Sequence, residues 1–221
     1  TMGAARINTT RPTYRNDLIV FSPRSSGESR TVKSIDVGEI IPYAIHPSND
    51  RLIYGYSEPM TESQSLVELS LSEEGNSRVL MSGPAVYANA SWSPDGSLLG
   101  FTTNESGFDE VMIAPYSEDG IGNPVPVSNA SANVFSWTND KDKDLRIHYF
   151  TYQKEYTRSV DLREGRISLG PPVLTGRTLG DTTTAMAMDH QGSLYTIRKG
   201  DNEDPAVRME IITGRFPVKS E

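Results

Sequence analysis

The sequence predicts an all-β fold, a β-propeller of four-stranded blades, with about four to five blades in this chain, which either close a small ring or form a segment of a larger propeller. Three observations predict it. A unit of strand, tight turn, strand, loop, strand recurs with a spacing close to 47 residues, in the range that marks propellers and related arrays. Its turns carry Pro, Asp, Asn and Gly, which supply the fixed or positive φ that tight turns need. No long helical periodicity interrupts the pattern.

The clearest unit runs from Ala90-Ser91-Trp92 through Ser93-Pro94-Asp95-Gly96-Ser97 into Leu98-Leu99-Gly100-Phe101-Thr102, then Val111-Met112-Ile113-Ala114. Aromatic and branched residues flank the turn, as they do in strands. The upstream copy has Tyr43-Ala44-Ile45, His46-Pro47-Ser48-Asn49-Asp50 and Leu52-Ile53-Tyr54-Gly55-Tyr56, and Pro47 stands 47 residues before Pro94. Downstream, Trp137 stands 45 residues after Trp92, ahead of an enlarged turn at Asp140, Asp142 and Asp144 and a strand over Ile147 to Thr151. A fourth copy places Gly192 opposite Gly96 and a strand over Leu194 to Arg198. Arg78-Val79-Leu80, Pro124-Val125-Pro126-Val127 and Pro172-Val173-Leu174 read as outer strands, where proline is tolerated because the outward amides need no partner. Leu18 to Phe21 and Arg30 to Ile35 read as the last two strands of a blade. Residues 1–16 read as an N-terminal extension, 17–213 as the propeller domain and 214–221 as a tail. A Thr ahead of Met2 is not how translation begins, so the natural protein is expected to be longer.

The unit Trp92-Ser93-Pro94-Asp95-Gly96, followed by a strand, Asn104 and Asp109-Glu110, resembles the repeat of TolB and of the WD-repeat-like propeller domains attached to prolyl-oligopeptidase-type peptidases. The other copies depart from it: Ile45 and Met188 stand for Trp, and Ser48-Asn49 for Asp-Gly. The resemblance covers residues 18 to 212 and implies a propeller; it does not imply a function, because this repeat serves many roles.

Composition narrows the partners. With 21 Lys and Arg against 29 Asp and Glu, the net charge is -8, and the averaged field repels nucleic acid and anionic membrane surfaces. No apolar run reaches the roughly 20 residues of a membrane span, so no membrane insertion is expected. Cysteine is absent, which removes disulfides, thiol nucleophiles and thiolate metal sites and suits a periplasmic or extracellular protein somewhat better than a cytoplasmic one.

Catalytic and cofactor motifs are missing. There is no Gly-x-Ser-x-Gly elbow, and His46, His148 and His190 read as turn or packing residues. Gly120-Ile121-Gly122 lacks the third glycine and the helix of a phosphate loop. Asp140, Asp142 and Asp144 start like a calcium loop, but position twelve is Thr151, not Glu. Asn8, Asn89, Asn104 and Asn129 match the glycosylation triplet. The expectation is therefore a non-enzymatic binding module for a protein or peptide, with no cofactor and no metal. The alternatives are an accessory propeller of a larger hydrolase or receptor, or a small-molecule or sugar-binding propeller. Loops entering the innermost strands crowd one end of a propeller. They are Val37 to Pro42, Ser82 to Asn89, Ser128 to Asn133 and Thr175 to Thr184, and they bring the candidate binding residues Tyr43, Tyr87, Asn89, Asn133, Arg177 and Asp181 towards one rim.

Overall fold

The computed structural model describes residues 4–10, 15–21, 29–72, 76–139, 144–179, 183–188 and 194–198. The expected elements at 140–143, 189–193 and 208–212, Asp181, and the tail 214–221 lie outside these residues. Every regular element among the described residues is a strand, and the sheets are antiparallel, as the repeat predicts.

The chain divides into two compact units, Thr1–Asn133 and Val134–Glu221. In the first, β1 (Ala4–Thr10), β2 (Arg15–Phe21) and β3 (Ser29–Ile35) form one sheet, and β4 (Glu39–Ile45), β5 (Arg51–Ser57), β6 (Ser65–Ser70) and β7 (Ser77–Met81) a second. The third holds β8 (Tyr87–Trp92), β9 (Leu98–Thr103) and β10 (Glu110–Ser117), with β11 (Gly120–Ile121) and β12 (Val125–Pro126) sharing the outer edge of β10. Strand β1 comes from the segment read as an extension; its register with β2 pairs Ala4 with Phe21 and Thr10 with Arg15. In the second unit, β13 (Phe135–Asn139), β14 (Leu145–Thr151) and β15 (Lys154–Arg163) are followed by β16 (Arg166–Leu169) and β17 (Val173–Thr178), which both pair with β15. Strands β18 (Thr183–Met188) and β19 (Leu194–Arg198) pair with each other.

Burial explains why the central strands read as apolar runs instead of alternating ones. Every residue of β9 is buried, as are Leu52 to Gly55 of β5, because both faces of these middle strands are covered. Leu18, Val32, Ile40, Leu52, Tyr54, Val67 and Leu69 form a core between the first two sheets. Ile53, Leu66, Tyr87, Trp92, Leu99 and Phe101 form another between the second and third.

The turns show why a degraded repeat still folds. Gly96 has φ +76°, its N–H donates to the Ser93 carbonyl at 2.9 Å, and the Asp95 carboxylate accepts from the Ser93 hydroxyl at 2.6 Å and the Ser97 N–H at 3.1 Å. Forty-seven residues earlier, Asn49 takes φ +63° and donates to the His46 carbonyl at 2.8 Å. Asparagine is among the few non-glycine residues that accept this conformation readily, so Ser48-Asn49 keeps the turn that Asp95-Gly96 makes.

The second and third sheets are joined at both ends. At the turn end the His46 ring meets Trp92 edge-on at 5.0 Å and Tyr116 at 5.5 Å, and Arg51 donates to the Tyr116 hydroxyl at 2.9 Å. Tyr116 in turn donates to buried Glu68, which also holds Arg78 at 2.9 Å. At the other end Gln64 forms a parallel bridge to Val86: its N–H donates to the Ala85 carbonyl at 3.3 Å and its carbonyl accepts from Tyr87 at 2.8 Å. Its side chain accepts from the Tyr43 hydroxyl at 2.5 Å and donates to Ser57 at 3.3 Å.

Gly55 lies under this junction, where an added Cβ would come within 2.8 Å of Gln64 and 2.9 Å of Tyr43. The substitution Gly55→Ala is therefore expected to cost about 1–3 kcal/mol through overpacking. Val79→Ala, at an exposed outer-strand position, should stay within about 0.5 kcal/mol. Urea denaturation midpoints of the two variants against the parent check both.

Candidate functional site

The inner strands of the second and third sheets are both irregular at matching places. Their registers slip between Pro42 and Ala44 in β4 and between Ala88 and Ser91 in β8. The slips put Tyr43 at one bulge and Asn89 at the other, with Asn89 at φ +50°. Bulges and left-handed non-glycine residues concentrate where a strand must re-aim a side chain. The backbone N–H of Asn89 faces the Tyr43 hydroxyl; burial raises that phenol's pKa, partly offset by this contact. The Asn89 amide donates to Thr102 Oγ1 at 3.2 Å and to the Asn133 carbonyl at 3.0 Å. Asn89 is itself exposed.

Three of the six sequence candidates, Tyr43, Asn89 and Asn133, are thus brought into one hydrogen-bonded seam. Tyr87 lies beneath it, only 3% exposed, its ring 6.4 Å from Phe101. Burial, followed by the nearby Glu105 carboxylate, raises its pKa. It packs where an exposed anchor was expected, because β8 begins at Tyr87 and turns this side chain into the core. Arg177 departs further. The segment Thr175 to Thr178, read as an entering loop, belongs to β17 on the outer edge of its sheet. Asp181 lies outside the described residues. Gln64, which ties the seam together, carries no motif; its only signal is a lone amide ahead of an apolar strand.

The loops at this end also expose apolar side chains. Val37 precedes β4, Met60 lies between β5 and β6, and Phe108 between β9 and β10; they are 62, 105 and 44% exposed, and Ile41 near the start of β4 is 40% exposed. Antiparallel alternation puts all four at the end where the inner strands begin.

The second unit holds a different polar cluster. Glu155 on β15 is fully buried, and its Oε1 lies 3.0 Å from His148 Nδ1 and 2.6 Å from the Arg177 guanidinium. Its Oε2 accepts from Arg177 Nε at 2.5 Å and from the Thr175 hydroxyl. On the far side of the imidazole, His148 Nε2 is 2.9 Å from Thr138 Oγ1. Hydroxyl, imidazole and carboxylate stand in the order of a hydrolase relay, yet Thr138 and His148 are buried within the sheet. The bidentate arginine engages both oxygens of the carboxylate, and the cluster clamps β13, β14, β15 and β17 together. The β15–β17 pairing shifts register between Lys154 and Tyr156, at Glu155. No group of three or more His, Asp or Glu among the described residues is placed to hold a metal.

Short outer edges, short turns and successive antiparallel sheets of up to five strands give the chain the architecture of β-propeller blades. Comparison with solved structures agrees with this fold: the chain is similar to TolB and to other propeller proteins. TolB from Acinetobacter baumannii superposes with a TM-score of 0.60 at 17% identity, over 99% of this chain and 54% of that one. The periplasmic gluconolactonase PpgL of Pseudomonas aeruginosa superposes with a TM-score of 0.55 at 13% identity, over 93% of this chain and 65% of that one. A puromycin-hydrolyzing peptidase of Mycobacterium tuberculosis gives 0.54 at 15%, over 89% and 35%. The chain spans about half the length of the TolB it matches. No family model matches the sequence, and no curated protein does.

These likenesses correct one expectation. The chain was expected not to be an enzyme, on the absence of catalytic motifs, but its structural neighbours include a peptidase and a gluconolactonase. Missing motifs do not separate this fold from enzymes.

The depressed pKa of Glu155 is testable. Burial pushes it up, but hydrogen bonds from His148 and Thr175 and the charge of Arg177 outweigh that and hold it below its ordinary value of 4.5. A depressed folded-state value contributes stability that is complete above the ordinary value and is lost as pH falls toward the depressed one. Glu155→Gln should cost about 3 kcal/mol at pH 7, since it leaves Arg177 without its partner, and should flatten the decline of stability below about pH 4.5. Urea titrations between pH 7 and pH 3 measure both.

Proposed function

We propose that the chain is a TolB-like propeller segment that holds a protein or peptide partner at the end where its inner strands begin. The observation that carries this reading is the exposure of Val37, Ile41, Met60 and Phe108 on separate segments at one end of the first unit. Exposed apolar groups gathered among polar ones mark interaction sites. The fixed amide of Asn89 and the exposed polar residue Asn133 supply polar contacts beside them. A periplasmic setting agrees with the cysteine-free composition and with the periplasmic gluconolactonase among the structural neighbours.

A second reading, an accessory propeller within a larger hydrolase, draws support from the peptidases, of which this chain spans about a third of the length. There the partner surface would be a second domain of the same polypeptide.

Site-specific photocrosslinking in the producing cells tests the proposal. A benzophenone residue at Pro84 or Ser131, both exposed at the inner-strand entrance, should give a discrete adduct, and one at Asp95 or Asp119, exposed at the turn end, should not. Asn89→Gly keeps the left-handed backbone while removing the amide. A true hot spot should then cost about 2 kcal/mol in binding. Adducts from the turn end alone would contradict the proposal.

A further inference from the structure

The loops at the inner-strand entrance are charged in one sense only. Asp36, Glu39, Glu58, Glu62, Glu105 and Asp109 are all exposed there, and Glu110 is half-buried. Across residues 36–41, 57–64, 82–90, 103–110 and 128–133 there is no lysine or arginine. None of these carboxylates has an ion-pair partner among the described residues; that of Glu105 faces the Tyr87 hydroxyl. Two basic residues of the same unit lie near this end on the first sheet, Arg15 at the start of β2 and Lys33 three residues before Asp36; others sit elsewhere. Arg30 donates to the Leu71 carbonyl at 2.5 Å, and Arg51 and Arg78 join Glu68 and Glu118 at the turn end.

The apolar groups stand among these carboxylates. Met60 lies between Glu58 and Glu62, Phe108 is followed by Asp109 and Glu110, and Val37 sits between Asp36 and Glu39. Met60 is fully exposed and held at φ +63°. A left-handed backbone at an unbranched apolar residue costs conformational energy, and here it keeps that side chain out in water.

We propose that the occupant of this surface is a cationic segment whose apolar residues alternate with, or are flanked by, lysine or arginine. The inference rests on the reading of this end as a partner surface and adds the partner's chemistry. The apolar side chains offer contact area, and seven carboxylates, more than the basic residues near them, select the sign of the charge that approaches them. Like charge brought against them is repelled, which excludes acidic segments. A second copy of this chain, with its net charge of -8, meets the same repulsion. Long-range attraction to a cationic partner also speeds the encounter and weakens with salt.

The probe is a synthetic peptide of alternating lysine and leucine, with an alternating glutamate and leucine peptide of equal length as its counterpart. Fluorescence anisotropy is read at low and at physiological ionic strength. The lysine peptide should bind and the glutamate peptide should not. Paired reversal, Glu58→Lys with Glu62→Lys, should weaken the lysine peptide about tenfold, through lost attraction and new repulsion. Phe108→Ser should weaken it by a similar factor through lost apolar contact. Asp119→Lys, an equal change of charge sign at the turn end, should leave it unchanged. Circular dichroism of each variant confirms the strand signal. The inference is overturned if both peptides bind alike, if Asp119→Lys weakens binding as much as the paired reversal, or if Phe108→Ser has no effect. It is also overturned if the protein proves to be a dimer that Phe108→Ser dissociates. These outcomes leave the photocrosslinking result intact: adducts at Pro84 and Ser131 with no charge selectivity would sink the partner chemistry alone, while adducts only at the turn end would sink the surface itself.

Discussion

Gln64 is the residue on which the arrangement of the second and third sheets depends. Both of its backbone groups cross to the next sheet and both of its side-chain groups are used within its own. Each such bond adds only about 1 kcal/mol net, but the two backbone bonds, to Ala85 and from Tyr87, would both be lost if the two sheets separated. The geometry follows from small residues as much as from polar ones. Gly55 leaves room for Tyr43 and Gln64 to meet, and Gly96 leaves room for the His46 ring, since a Cβ there would come within 2.4 Å of His46 Nε2.

The seam ties fold to surface. Because Tyr43 is fixed by Gln64, the Asn89 N–H finds a partner outside the ordinary ladder, and the inner strand of the third sheet can bulge without an orphaned amide. The bulge turns Asn89 outward, and its amide then spans Thr102 and the Asn133 loop. Rigid placement of this kind lowers the ordering cost of binding. The apolar loop residues around it have no such tether, so the surface combines one fixed polar element with adaptable apolar ones.

Much of the fold was legible because its signals are local. Turn chemistry at Pro47 and Pro94, the aromatic positions Trp92 and Trp137, and the apolar middle strands all lie within short windows. Asn49 standing for Gly96 could be read from its tolerance of positive φ. The rest depends on contacts far apart in sequence. Arg177 follows Pro171-Pro172 and adjoins Gly176, so it reads as a loop residue, yet it sits in an outer strand because Glu155, 22 residues earlier, is buried and needs a cation. Tyr87 looks like an exposed aromatic until the start of β8 is known to the residue. Strand β1 has an alternation too weak to be read without its partner, β2. The one-sided charge of the entrance loops is visible in the sequence only once topology has shown which loops share an end.

Native-state hydrogen exchange tests the central claim, that the second and third sheets are one cooperative structure joined through Gln64. The amides of Gln64 and Tyr87 lie outside any ladder within a single sheet, so their protection reports the junction alone. If the account is right, both exchange through the same global opening as the amides of Leu66 and Phe101, with free energies that match and fall together as denaturant is added. Gln64 and Tyr87 exchanging through a low-energy local opening, while Leu66 and Phe101 stay protected, would show that the sheets part independently and would contradict it.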